Sequence, residues 1–318
     1  MRVVAALASF KGTLSARVAS EIVASATGGE AVPVADGGEG TLDVLALPTT
    51  RVRARDPWGA WREVDVGVAD GWVIELAKVC GHDARRRDVM RASTAGVGDV
   101  VRAGLAAGVR RFTVTLGGSA TCDGGAGFLH ALGADCPNGP PLDARPFVLP
   151  HVGAELVAVC DVDAPLSDAA RLYAPQKGAT PADVVVLEAA LARWAELLGV
   201  RDAPGAAGGL AVALRALGAR TVRGAPWVCD RVGLDAAIAR AGVVVTGEGS
   251  VDAQTLQGKA PFEVARRAHA AGVPVVVIAG RVAAALPGVV RAIELGPPTG
   301  DAAGVLSAAA RGLVPRAL

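Results

Sequence analysis

No apolar run in this 318-residue chain approaches the roughly 18 residues that a helix needs to cross a bilayer, so a membrane-spanning protein is not expected. There is no excess of charge either. With 32 Lys+Arg against 31 Asp+Glu the formal net charge is +1, and nothing in that balance steers the protein to nucleic acid or an anionic membrane. The five cysteines (Cys80, Cys122, Cys136, Cys160, Cys229) are odd in number and share no CxxC spacing, which points to reduced thiols in the cytoplasm. The histidines, His82, His130, His151 and His269, are scattered, so neither a structural zinc site nor a histidine general base is suggested. At the N-terminus Lys11 and Gly12 interrupt a short apolar run, which reads as a first strand rather than a signal peptide. GxxxxGK[ST] is missing, as are HRD and DFG, and this excludes an ordinary P-loop and a protein kinase by pattern. Lysine is scarce: Lys11, Lys78, Lys177 and Lys259 all lie near turn or loop positions, where a compact ammonium differs usefully from the preferred arginine.

What is present is apolar. Hydrophobic residues make up 52% of the chain, enough for a sizeable core. Short runs of Val, Ala, Ile and Leu recur at 3–8, 32–35, 112–116, 156–160, 243–246 and 275–280, as in strands buried on both faces of a parallel sheet. Helical patterns lie between them, at 15–26, 93–107, 181–198, 230–241 and after Lys259, with Ser93 and Thr94 as possible N-caps of the second. Residues 50–76 instead alternate apolar and polar side chains around two turns, an antiparallel meander that implies a second sheet. The expected fold is α/β, with two α/β domains. Residues 1–47 and 240–318 would form a Rossmann-like parallel-sheet domain, and 48–239 an inserted mixed α/β domain.

Chemistry is expected beyond the carboxyl ends of the strands, where ligands bind in open parallel sheets. There the runs end in glycine-rich polar loops. VPVADGGEGT (32–41) ends on Asp36 and Glu39 among glycines; the glycines allow close backbone approach, and the carboxylate can hold Mg2+ or take a proton. In GGSATCDGGAG (117–127), Gly117, Gly118, Ser119, Ala120 and Thr121 could cradle phosphate oxygens, backed by the N-terminus of the helix that follows. Asp123 could face a metal there, or could merely cap that helix within a tight structural turn. After the 243–246 run come Gly247, Glu248 and Gly249, then Asp252, Gln254 and Lys259, a loop polar enough to bind something. Gly-x-Gly alone is weak, and the third glycine of a dinucleotide fingerprint is missing. Asp161 and Asp163 could be ligands or could cap the turn before Pro165. The run Arg85, Arg86 and Arg87 reads as a solvated loop face. From the residues alone the protein is an α/β enzyme for an anionic, phosphorylated ligand, with Mg2+ as a candidate metal.

SFKGTLSA, PVADGGEGT, GGSATCDGGAG, CDVDAPL, APQKGAT, GAAGGLAVAL and TGEGSVDAQTLQGKAP occur in this order, from Ser9 to about Gly280. The combination resembles the type I glycerate kinase family. That resemblance implies two α/β domains with the active site in the cleft, and transfer of the γ-phosphoryl group of ATP to D-glycerate with Mg2+. It implies a small-molecule substrate, no nucleic acid or membrane partner, and a cytoplasmic protein; a homodimer is compatible with it. Under it, Asp36 is the first choice for the carboxylate beside the attacking hydroxyl and Asp252 the second. Lys11 and Lys177 would neutralise the glycerate carboxylate or the phosphates. The 117–121 loop and Gly247–Gly249 would bind the nucleotide, and Asp161 and Asp123 would hold the metal.

The chain departs from the family pattern in places. Leu7 and Ala8 stand where Pro and Asp are usual, Cys122 and Ala164 where Asn is usual, and TTSxGTGEL becomes ASTAGVGDV. A relative acting on another short hydroxy acid, or a non-catalytic nucleotide- or acid-binding paralogue, is the alternative that these departures raise. A nicotinamide-dependent dehydrogenase is disfavoured by the incomplete Gly-x-Gly.

Overall fold

The computed structural model describes residues 2–162, 164–202, 204–297 and 300–313. Its strands are β1 (Val3–Leu7), β2 (Glu30–Ala31), β3 (Thr49–Arg55), β4 (Trp61–Ala69), β5 (Gly71–Glu75), β6 (Arg111–Thr115) and β7 (Glu155–Cys160). They continue with β8 (Arg220–Arg223), β9 (Val243–Gly247), β10 (Ser250–Val251), β11 (Val275–Ala279), β12 (Arg281–Val282) and β13 (Val289–Glu294). The chain divides into two compact units: Met1–Asp36 with Asp43–Ala46 and Gly224–Leu318, and Gly37–Leu42 with Leu47–Arg223.

In the first unit a five-stranded sheet runs β13-β11-β9-β1-β2, with every pair parallel. Apolar residues at successive positions of one strand serve opposite faces, because side chains alternate across a sheet. Val3, Ala5 and Leu7 pack with Ala19, Val23, Leu306 and Ala310 from the helices Ala16–Thr27 and Ala302–Arg311. Val4 and Ala6 pack on the other side with Ala225, Cys229, Leu234, Ile238 and Val264. These last residues lie on the helices Gly224–Arg231, Leu234–Ile238 and Ala260–Ala270, so the 224–239 segment shares this unit's core.

The run 32–35 is one correction. It is not a strand in its own right; the strand lies just before it, at Glu30–Ala31. Pro33 has no N–H for a ladder. The amides of Val32 and Val34 nevertheless donate to the carbonyls of Ala5 and Leu7, so the run follows β1 up to Asp36.

In the second unit a six-stranded mixed sheet runs β3-β4-β5-β6-β7-β8. β3, β4 and β5 are the antiparallel meander; β5 through β8 are parallel. Along β3, Val52 and Ala54 are buried while Arg51 and Arg53 face solvent, the pattern of a sheet covered on one face. The helix Ala95–Ala106 packs on it, tied by the Asp99 carboxylate to the backbone and guanidinium of Arg55. The acid of the ASTAGVGDV segment is therefore structural. Among the described residues, no helix is long and apolar enough to cross a membrane.

Candidate active site

In each unit the polar loops gather at the carboxyl ends of parallel strands. In the first unit these are the ends of β1, β9 and β11. Beyond β1 the chain makes a tight loop: the amides of Thr13 and Leu14 both donate to the Phe10 carbonyl, and Lys11 sits exposed at the tip. Gly249 lies alongside, with room for a Cβ 3.7 Å from the backbone nitrogen of Lys11. Gly247 differs. A Cβ there would run into the carbonyl oxygen of Ile278 on the neighbouring strand, so this glycine is explained by strand packing rather than by a ligand.

Glu248 follows Gly247 and accepts a 2.6 Å hydrogen bond from the Thr255 hydroxyl. Burial raises its pKa above the usual carboxylate value, and the charges of Asp36 and Asp252 push in the same direction, against Thr255 and Lys259. Asp252 accepts the Gln254 amide at 2.9 Å and the Ser250 hydroxyl at 3.3 Å. Burial works to raise its pKa, but the amides of Gln254 and Thr255 and the charge of Lys259 hold it below the ordinary value. Asp36 is half-buried at the end of the run beside β1. Two further carboxylates and the Lys259 ammonium thus act on Glu248 within this unit.

In the second unit the 117–123 loop follows β6. Gly118 is its exposed residue; the other six are buried. The loop is held from several sides. A Cβ on Gly117 would collide with the Gly38 backbone and lie 2.9 Å from an Asp161 carboxylate oxygen, so only glycine allows this approach. The Gly117 amide already donates to Gly37, and the Ala120 amide to Cys80. Those two amides are therefore not free for phosphate, a correction to the cradle expected of the whole 117–121 stretch. Lys177 is buried beneath it, donating to the Ser119 hydroxyl at 2.9 Å and the Thr121 carbonyl at 2.7 Å. Burial holds its pKa below the usual lysine value, while Cys122, Asp161 and Asp123 work the other way. The hydroxyl of Thr121 is buried without a hydrogen-bond partner.

Asp123 is fully buried, and its carboxylate accepts four hydrogen bonds: from the amide and hydroxyl of Thr94, both at 2.8 Å, and from the amides of Gly125 and Gly127. Burial pushes its pKa up against those donors. It pins the start of the helix Ala126–Ala131 and, through Thr94, the start of Ala95–Ala106. The metal role expected for Asp123 does not fit this surrounding; of the two readings drawn from the loop, the cap is the one its contacts describe. The same bonds occupy the helix N-terminus expected to meet a phosphate. Cys122 is fully buried with its thiol pushed up to about 11 by desolvation, a neutral packing residue. Asp161 is half-buried beside Gly117; Asp163 lies outside the described residues.

Sequence reasoning missed Glu75. This buried residue ends β5, and its two carboxylate oxygens accept the amides of Gly40 (2.9 Å) and Leu42 (2.8 Å). It anchors the glycine-rich segment that follows Asp36. The available signal was an apolar strand, WVIE, ending on an acid.

Comparison with known proteins assigns the chain. A family model described as the glycerate kinase family matches residues 3–310. The glycerate kinase of Haemophilus influenzae is 35% identical over 291 residues, 78% of this chain and 76% of that one. The glycerate 2-kinase of Escherichia coli is 34% identical, with 88% of this chain and 85% of that one covered. A crystal structure from Salmonella typhimurium superimposes with a TM-score of 0.81 at 32% identity, covering 99% of this chain and 97% of that one. The ordered motifs, the α/β fold and these likenesses agree: the chain belongs to the glycerate kinase family and is an enzyme of that kind.

Proposed function

We propose that this protein transfers the γ-phosphoryl group of ATP to a hydroxyl of D-glycerate, with Mg2+ as the metal. The observation that carries the reading is the set of carboxylates at the strand ends of the first unit, where Asp36 and Asp252 act on the half-buried Glu248. Phosphoryl transfer asks a protein mainly for positioning, neutralising charge and a carboxylate near the attacking hydroxyl. Asp36 takes the hydroxyl proton as the glycerate oxygen bonds to the γ-phosphorus. The bond from that phosphorus to the bridging oxygen breaks, and ADP leaves with the electron pair. Lys11, exposed at the tip of its loop, neutralises the glycerate carboxylate. Asp252 shapes the 247–259 loop through its bonds to Gln254 and Ser250.

In the second unit Gly118 and the hydroxyls of Ser119 and Thr121 receive phosphate oxygens. The unpartnered Thr121 hydroxyl supports this, since a buried hydroxyl left alone is costly. Lys177 acts as a positioning residue, holding Ser119 and Thr121 from beneath. Among the described residues, no group of three or more His, Cys, Asp or Glu could hold a metal. Mg2+ does not require one, because it is commonly held by one or two carboxylates together with substrate phosphates and water. Asp161, beside Gly117, fits that part. The bound metal would neutralise charge on the phosphates. Four of the five cysteines are buried and all five are free, in keeping with a cytoplasmic setting.

The test is ADP release from ATP, Mg2+ and D-glycerate, with phosphorus NMR of the product. ADP and phosphoglycerate should form in equal amounts, and chelation of Mg2+ should stop both. Folded protein that releases no ADP above background removes the reading. Faster release with another short hydroxy acid moves the substrate but keeps the chemistry.

A further inference from the structure

We propose that the arginine loop 85–87 is the outer binding edge for the nucleotide polyphosphate, an inference that rests on the kinase reading above. All three residues are exposed. Among the described residues, none of their guanidinium groups is paired with a carboxylate. The nearby Asp83 spends a side-chain oxygen on the Arg85 amide at 2.8 Å. Arg86 lies over the Trp58 ring, 4.5 Å from its centroid, so a neutral face rather than an acid supports it.

Placement makes this more than a solvated charge run. The loop is fastened to both segments that form the phosphate site. Just before the arginines, Gly81 bridges to Ser119, and the His82 amide donates to the carbonyl of Gly118 at 3.0 Å. The His82 ring nitrogen Nε2 bonds the carbonyl of Gln176, the neighbour of Lys177, at 2.9 Å. After the arginines, the Arg87 carbonyl packs so closely on Gly178 that no Cβ would fit there. The backbone flanking the three exposed arginines is thereby set next to Gly118, the exposed residue of the 117–123 loop, on one side and next to Gly178 on the other.

The number of charges selects the ligand. A hydroxy-acid carboxylate carries one negative charge and needs one cation. A nucleoside triphosphate carries several, and guanidinium forks match phosphate oxygens in pairs. Such an edge also raises the capture rate of a polyanion in a salt-sensitive way.

The experiment compares the wild type with R85A/R87A and R85K/R87K. Arg86 is kept because its stacking on Trp58 serves the loop itself. The Ala pair should raise KM for ATP by about tenfold or more, with kcat and KM for D-glycerate little changed. Its kcat/KM for ATP should fall less steeply with added salt. The Lys pair should keep most of the salt dependence but not the full affinity. Calorimetric titration of ATP into each protein gives the same comparison without turnover. If wild-type protein binds ATP but does not phosphorylate D-glycerate, the kinase reading fails while the loop is still tested by ATP affinity. Unchanged ATP affinity in a folded Ala pair overturns the inference. So does a rise in KM for D-glycerate alone, or wild-type protein that does not bind ATP.

Discussion

Replacing Asp36 by Asn is expected to lower turnover by about 10²- to 10⁴-fold while the unfolding midpoint stays in place. The exchange keeps shape and hydrogen-bonding reach but removes the ability to accept a proton at neutral pH. Because the interaction lost belongs to the transition state, kcat and kcat/KM for D-glycerate should fall together, with KM nearly constant. Asp36 is half-buried and ends the run beside β1, so the loss should not carry a large folding cost. Steady-state ADP release with a thermal melt of the same preparation decides it. Turnover within about tenfold of the wild type would move the base to another carboxylate, and Glu248, whose pKa burial already raises, is the next to test.

The second large effect is on stability. Asp123→Asn keeps volume but replaces one accepting oxygen by an NH2 group. Either placement turns donors on donors: Oδ2 accepts from the Thr94 amide, the Thr94 hydroxyl and the Gly127 amide, and Oδ1 from the Gly125 amide. Each buried amide left without an acceptor costs about 1–3 kcal/mol, and the less costly placement leaves one, so a loss of about 1–3 kcal/mol is expected. For a unit of this size that corresponds to a fall in Tm of roughly 2–12 °C. Differential scanning calorimetry measures it. A variant that melts within about 2 °C of the wild type would show that the four bonds do little for the fold. A metal-ligand role would instead appear as a Mg2+ requirement shifted without loss of stability.

Much of the fold is readable from the residues. Continuous Val-rich runs such as 243–246 and 275–280 have no polar face to show to water, so they lie inside a parallel sheet. Alternation between 50 and 76 marks strands with one covered face. Less is readable of the candidate site, for a physical reason. An acid in a glycine-rich loop looks the same in sequence whether its oxygens meet amides of its own chain or a ligand. Asp123 and Glu75 meet amides; Asp252 is partly spent on Gln254. Glycines are ambiguous in the same way. Gly117 admits the Gly38 backbone and Gly247 the Ile278 carbonyl, contacts between positions far apart in the chain that no local pattern reveals. Lysine scarcity does draw attention to Lys177, but its burial follows from the packing of 175–178 beneath the loop.

The grip of Glu75 on Gly40 and Leu42 has a dynamic consequence. A segment that is nearly half glycine would ordinarily exchange its amide protons with solvent almost as fast as an unfolded peptide. Here two of those protons are donated to the carboxylate of a buried residue. Their deuterium uptake should be as slow as that of the neighbouring strands, so a stretch that looks flexible by composition is held rigid.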